Sequence, residues 1–289
     1  MPTFSRILMP VAFSPRCQGA AQYAEALACH FHAEVILLHV VTPVTAYGCP
    51  DAMVLSPDVT TDAVAQAKIE LEEFLPGEFK GIAVRRAVVE GDPAQEIVGF
   101  AKSEGVDLIV MPTHGYGPFR RFLLGSVTAK VLHDAHCPVW TGPHMEEAPA
   151  YPSISFRNVL CAVDLGPDTR RILIWAGEFA HEYGADLSVV HAIPASTVSL
   201  GGFYFDPEWR AHIINEARDR ISFLLEELHF AGEVLIETGD VAPVVRSVAQ
   251  EWKANVVVIG RGHAAGMLGG LRTHAYAILR ESPCPVATL

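Results

Sequence analysis

The residues best suited to bind a ligand form the run Gly125-Ser126-Val127-Thr128, with Gly115 ten positions before it. Gly115 permits a tight turn, and Gly125 permits close approach of the backbone to a ligand. The apolar spacing that follows predicts a helix, whose first N–H groups and positive end suit polyphosphate. No Gly-Lys-Ser/Thr follows at the spacing of a Walker A loop, so the run is not a Walker A phosphate-binding loop. Two interpretations remain. The run is either a different kind of anion-binding site or only the start of a helix with two glycines in the preceding turn.

Other reactive residues fail to assemble into a catalytic or metal-binding pattern. His114 is a candidate general acid or base, but no nucleophile or carboxylate accompanies it in the local sequence. Cys29, His30 and His32 resemble metal ligands, but no second pair stands at zinc spacing. We therefore predict no metal site and no enzyme, with weak ATP hydrolysis as the one activity left open.

The elements that position the glycine run alternate between two kinds of segment. Short apolar, β-rich runs are separated by stretches of helical period, and Ser14-Pro15 and Asp92-Pro93 mark helix starts. Continuous apolar strands between helices predict a doubly wound α/β fold with a parallel sheet. Ligands bind such sheets at the carboxyl ends of the strands. The predicted strands of the first half are Ile7–Val11, Val35–Val41, Val84–Val89, Leu108–Met111 and Pro138–Thr141.

The chain also repeats itself. Ala33–Val41 recurs as Ala185–Ile193, and Glu90–Ala101 recurs as Thr238–Ala249, at an offset of about 150 residues. A tandem duplication follows, with a first domain over residues 1–143, a Pro-rich linker over 144–156 and a second domain over 157–289.

The motif spanning Pro112-2x-Gly115-9x-Gly125-Ser126, with the G-D-P-A turn and the terminal C-P-V, resembles the universal stress protein domain. The resemblance covers both halves. It implies two tandem doubly wound parallel five-stranded sheets of order 3-2-1-4-5. It also implies a pseudo-two-fold axis through the last strands, as in the dimer of single-domain members. The family has ATP-binding and non-binding branches.

In the first half, the resemblance carries over only in part. ATP-binding members have an aspartate after the first strand that contacts adenine, and here Val11 is followed by Ala12. Val40 ends the second strand, where a backbone group would face adenine. Met111 ends the fourth strand, and Pro112 replaces the first motif glycine and lacks an N–H. The retained phosphate-site positions are Gly115, Gly125, Ser126, Val127 and Thr128.

The second half shows the opposite pattern. It keeps the adenine-contacting aspartate as Asp164 and the first glycine as Gly260, but Arg272 and Thr273 stand where Gly125 and Ser126 are expected. The Arg272 side chain then either fills the phosphate space or holds a smaller anion. We expect at most one nucleotide per chain, in the first domain.

Composition limits the classes of partner. Half of the 289 residues are hydrophobic and the formal net charge is −12, which indicates a globular chain that repels nucleic acid. Six scattered cysteines and the lack of a long apolar run predict a cytoplasmic protein with no membrane partner. The two domains are expected to pair within the chain, and a homodimer is possible.

Two functions therefore compete. The first is a stress-response protein that binds ATP or a related nucleotide mainly in the first domain, with a degenerate second site. The alternative is an interaction scaffold of the same family that binds no nucleotide. Ala12 and Pro112 favour the scaffold, whereas the run Gly125–Thr128 favours nucleotide binding.

Overall fold

The computed structural model describes residues 4–43, 57–113, 124–142, 145, 148–194, 207–261 and 273–289. Strands and helices alternate along both halves. The first half contains, in chain order, β1 (Arg6–Pro10), α1 (Pro15–Phe31), β2 (Glu34–Val41), α2 (Pro57–Glu73), β3 (Val84–Glu90), α3 (Pro93–Ser103), β4 (Leu108–Val110), α4 (Ser126–Asp134) and β5 (Val139–Thr141).

The second half repeats this series. Its elements are β6 (Asn158–Ala162), α5 (Thr169–Tyr183), β7 (Asp186–Ile193), α6 (Pro207–Glu227), β8 (Glu233–Thr238), α7 (Val241–Glu251), β9 (Val256–Ile259), α8 (Thr273–Glu281) and β10 (Val286–Thr288). The α/β class and the tandem duplication predicted from the sequence are thereby confirmed.

Strand order is the same in both halves. The first runs β3-β2-β1-β4-β5 and the second β8-β7-β6-β9-β10, which is the predicted order 3-2-1-4-5. In each half the first strand pairs in parallel with the second and the fourth. The central strands are apolar on both faces because helices cover the sheet: Ile7, Leu8 and Met9 are fully buried in β1. The predicted pseudo-two-fold relation stays a prediction.

Helices begin where the sequence predicts. Ser14 precedes α1 with Pro15 as first helical residue, although its side chain makes no capping bond to the helix. Asp92 caps α3 by accepting a hydrogen bond from the Gln95 N–H at 3.0 Å. Gly91, just before it, has φ 153°, and a Cβ there would lie 2.6 Å from Glu96 Oε1. Glycine is therefore required at this turn from β3 into α3.

The chain forms two compact units, and each includes a short segment that is separated from the rest of the unit in the sequence. One comprises residues 3–139 with 145–154, and the other comprises 155–289 with 1–2 and 140–144. Trp140 accordingly belongs to the second unit, where its ring lies 5.3 Å from Phe156 and 5.8 Å from Phe179. Tyr151 lies in the segment 145–154, which belongs to the first unit. Its backbone N–H donates to Gln22 Oε1 on α1 at 2.7 Å.

Within the described ranges, no helix combines the length and the apolar character that spanning a membrane requires.

Candidate functional site

A cavity of about 310 Å³ opens at the carboxyl ends of the first unit's strands. This is the edge at which doubly wound sheets bind ligands, and the volume reaches the lower end of the usual range for ligand sites. Nine residues singled out from the sequence line it together, although they come from four separate stretches of chain: Val11, Ala12, Val40, Met111, Pro112, Gly125, Ser126, Val127 and Thr128. Gly115 lies outside the described residues.

β1 and β2 form one end of the cavity. Two hydrogen bonds that the sequence did not predict stabilise the backbone there. The Nδ1–H of His39 donates to the Val11 carbonyl oxygen at 2.8 Å. The Ala12 N–H donates to the Sγ of Cys17 at 3.4 Å. Cys17 is fully buried on the first turn of α1, and both it and His39 line the cavity. The side chain of Ala12 supplies no acceptor to a ligand here.

The opposite end is formed by the first turn of α4. Gly125 precedes that turn with φ −63° and ψ 147°, a conformation open to any residue. Glycine is thus not demanded by the backbone at this position. Its lack of a side chain instead leaves room in front of the helix N-terminus, which is what close approach of a ligand needs.

Two polar groups expected to face phosphate are engaged elsewhere. The Gly125 N–H donates to the Thr113 carbonyl oxygen at 2.9 Å. The Thr128 hydroxyl donates to the Pro112 carbonyl oxygen at 3.1 Å, and the Thr128 side chain is buried. The donors that remain for an anion are the first helical N–H groups, from Ser126 to Thr128, with the exposed Ser126 hydroxyl. Fewer hydrogen-bond donors are therefore available to an anion than the sequence predicted.

Two cationic side chains, Arg16 and Lys130, lie on helices that border the cavity. Arg16 lines the cavity from α1. Lys130, one turn into α4, lies 3.1 Å from Asp92 Oδ1. The hydrogen bond from the Gln95 N–H, reinforced by Lys130, lowers the pKa of the Asp92 carboxyl. Among the described residues, Arg16 therefore brings a positive charge to the cavity wall, and Lys130 forms an ion pair with Asp92.

The second unit has a smaller cavity, about 110 Å³, at the corresponding place. Asp164 and Gly260 line it, as the sequence predicted for a shared site. Asp164 Oδ1 accepts a hydrogen bond from the Gly166 N–H at 2.9 Å. Arg272 lies outside the described residues. Thr273 begins α8, matching Ser126 at the start of α4, but its side chain is not described.

One packing difference lies at the wall of the second cavity. The repeat places Ile172 of α5 where α1 has Ala20, and Ile172 lines the second cavity whereas Ala20 is buried without lining the first. Isoleucine is larger than alanine by three carbon atoms, so α5 presents a bulkier side chain to its cavity at this position.

Sequence reasoning missed several wall residues. Arg16, Cys17 and His39 in the first cavity, and Arg261 and His274 in the second, were not predicted as site residues. One signal was available for His39, because it recurs as His191 at the same place in the repeat. Arg261 carried no such signal, since the first half has Thr113 there.

Metal and disulfide chemistry has no visible basis in the described ranges. There, no group of three or more His, Cys, Asp or Glu side chains could hold a metal ion. None of the five described cysteines forms a disulfide. Burial raises the pKa of the Cys284 thiol to about 12, which leaves that cysteine protonated and structural.

Sequence and structure comparisons place this geometry in a known group. The profile of the universal stress protein family matches residues 3–141 and again residues 155–289. The chain belongs to the universal stress protein family. Its two matches make it a tandem, two-domain member, as the motif and the repeat predicted.

Individual members of the family are similar over one domain or over the whole chain. Universal stress protein MJ0531 of Methanocaldococcus jannaschii is 34% identical over 142 residues, 47% of this chain and 80% of that protein. Universal stress protein MJ0577 of the same organism is 31% identical over 150 residues, 47% of this chain and 93% of that protein. A universal stress protein structure from Archaeoglobus fulgidus superposes with a TM-score of 0.73 at 21% identity, over 98% of this chain and 97% of that one, which shows the shared fold.

Proposed function

We propose that this universal stress protein binds ATP or a related nucleotide in the first unit. The observation that supports it best is the convergence on one cavity of about 310 Å³ of nine residues that the sequence and its family resemblance singled out. The base lies between the ends of β1 and β2, against Val11, Leu38 and Val40. The phosphates lie at the N-terminus of α4, where N–H groups and the helix dipole favour negative charge.

The conformation of Gly125 supports the phosphate assignment. Because its φ and ψ suit any residue, a side chain at this position requires no change of backbone conformation, and it would fill the space before the helix. Arg16 also lines the cavity. In this proposal the protein binds its ligand without a dedicated hydrolytic residue.

Ala12 and Pro112 support a second candidate, an interaction scaffold without a nucleotide. Ala12 lacks the carboxylate that would accept a hydrogen bond from an adenine amino group. Pro112 lacks the N–H that a glycine would present. Both positions line the cavity, so the loss falls on the surface that would contact the ligand.

Calorimetry with ATP on the full chain distinguishes these candidates. We expect one ATP per chain and loss of binding in Gly125→Val, which keeps the fold but blocks the helix N-terminus. Gly99→Val is the matched control, because Gly99 is exposed on α3 and a Cβ there meets nothing within 4 Å. Absence of binding by the unmodified protein would favour the scaffold. Equal binding by Gly125→Val would place the nucleotide elsewhere.

A further inference from the structure

The His39 ring has two nitrogen atoms, and the hydrogen bonds of the described residues engage one of them. Nδ1 lies 2.8 Å from the Val11 carbonyl oxygen, which can only accept, so the proton of the neutral ring is on Nδ1. Nε2 then carries a lone pair and can accept a hydrogen bond. The other contact of the ring with a described residue is with the Phe13 ring, at 4.4 Å between centroids. This contact leaves the lone pair of Nε2 available to a ligand.

The half-buried His39 ring lies against the first cavity. His39 lines that cavity, as do its neighbours on β2, Leu38 and Val40. The matching residue of the second unit, His191, makes the same bond to the Val163 carbonyl oxygen at 2.8 Å, but it does not line the second cavity. The bond through Nδ1 is therefore common to both units, whereas the position of the ring beside a ligand cavity is particular to His39.

Other acceptors at this end of the cavity are engaged or missing. The Ala12 side chain has no polar atom, and the Val11 carbonyl oxygen accepts from His39 itself. Cys17 Sγ accepts from the Ala12 N–H at 3.4 Å and lies 3.5 Å from the Ser14 hydroxyl. A guanidinium such as that of Arg16 has donors only. Of the described side chains at the ends of β1 and β2, the His39 ring therefore offers the best-placed acceptor for a ligand.

We propose that His39 Nε2 accepts a hydrogen bond from the exocyclic amino group of the base and so selects adenine in the first cavity. This inference rests on the proposed function, in which the base lies against Val11, Leu38 and Val40. Adenine has an amino donor at position 6, whereas guanine and hypoxanthine have an oxygen there, which would face the lone pair of Nε2. His39 thereby supplies an acceptor in place of the carboxylate that Ala12 lacks.

A pair of nucleotides that differ in one group tests this assignment on the full chain. Purine riboside triphosphate is ATP without the 6-amino group. Calorimetry is expected to show a preference for ATP of about fivefold or more, since the analogue makes one hydrogen bond fewer and leaves Nε2 unsatisfied. Equal affinity for the two would overturn this inference alone, because nucleotide binding would stand. Binding of neither would overturn the proposed function, and this inference with it.

His39→Asn separates the acceptor from the bond that stabilises the backbone. The asparagine amide N–H takes the place of Nδ1–H and can still donate to the Val11 carbonyl oxygen, but no atom of asparagine reaches the position of Nε2. We expect this variant to bind ATP and purine riboside triphosphate with nearly equal affinity. His191→Asn is the matched control, because it makes the same change at the same bond away from a cavity wall. It should keep the preference for ATP.

His39→Gln makes the opposite change. Its amide oxygen reaches the position of Nε2, while the donor to the Val11 carbonyl oxygen is lost. This variant should keep the preference for ATP and unfold at a lower urea concentration than the unmodified protein. A preference that persists in His39→Asn would overturn the inference. Loss of the preference in both variants would attribute it to the shape of the ring and would overturn the inference as well.

Discussion

The Nδ1 atom of His39 lies 2.8 Å from the carbonyl oxygen of Val11, and His191 makes the same bond to Val163 at 2.8 Å in the second unit. A carbonyl oxygen can only accept, so Nδ1 carries the proton in both rings. The bond joins the end of the second strand to the end of the first, beside the cavity. In the first unit the His39 ring also packs on Phe13 at 4.4 Å.

Replacing His39 or His191 should lower the stability of the unit that contains it, but only the replacement of His39 should affect ATP binding. His39→Leu and His191→Leu each remove a donor from a carbonyl oxygen, which costs about 1 kcal/mol in the free energy of unfolding. His39→Leu should also weaken ATP binding, because His39 lines the first cavity whereas His191 does not line the second. Urea unfolding and calorimetry measure the two effects. His136→Asn, at an exposed histidine, is the control. Identical ATP affinity in both leucine variants would contradict the assignment of the first cavity.

Thr128 tests whether its hydroxyl serves the fold or the ligand. Thr128→Val keeps the shape but leaves the Pro112 carbonyl oxygen without its donor, so we expect a loss of about 1 kcal/mol in unfolding free energy. Thr128→Ser keeps the hydroxyl and should recover most of that loss. The ratio of ATP affinity to that of the unmodified protein should stay near one in both variants. A large affinity loss with unchanged stability would show that the hydroxyl contacts phosphate.

Glu25 gives a pH-dependent prediction. Burial raises the pKa of this α1 carboxyl above its ordinary 4.5, even though Oε1 accepts a hydrogen bond from the Phe79 N–H at 2.9 Å. A raised pKa in the folded state favours folding below pH 4.5, and that contribution is lost as pH rises through the folded value.

Glu25→Gln should therefore stabilise the protein at neutral pH, because the amide oxygen still accepts from Phe79 and no charge is buried. The gain should shrink as pH falls toward 4.5 and below. Urea unfolding at several pH values measures it. The same charge change at the exposed Glu70 of α2 is the control. A gain that is constant with pH would contradict burial of the Glu25 charge.

Restoring the missing acceptor should improve nucleotide selectivity. Ala12→Asp places a carboxylate at the exposed rim where a hydrogen bond from an adenine amino group would be received. Such a bond raises ATP affinity by about tenfold. GTP, whose base has an oxygen in place of that amino group, should gain nothing. Competition calorimetry with both nucleotides decides the point, and an equal gain for GTP would contradict placement of the base at Ala12.

Much of the fold could be predicted because parallel strands buried on both faces must be continuous apolar runs. The run Ile7–Val11 predicted a strand that the structure has at Arg6–Pro10, a shift of one residue. The helix beginning at Ser126 follows Gly125 as predicted. The recurrence of these patterns in the second half predicted the second sheet as well.

The position of the candidate site could be predicted from the sequence, but the hydrogen bonds within it could not. The family resemblance assigned Val11, Val40, Met111 and Gly125 to one site, and all four line one cavity because the strand ends of a parallel sheet meet at one edge. It did not reveal that the Gly125 N–H donates to Thr113. Backbone hydrogen bonds outside regular elements depend on loop conformation, which the pattern of residue types does not encode.

By itself, the sequence determined the duplication, the strand order implied by its family resemblance and the edge of each sheet at which a cavity opens. Apolar periodicity and glycine spacing are local properties, and local properties are readable along the chain. Only the tertiary structure decided that the two cavities differ nearly threefold in volume and that Arg261 shares the second with Asp164. The physical reason is that cavity volume and charge pairing depend on side chains from separate segments, whose distances are set only when the helices pack on the sheet.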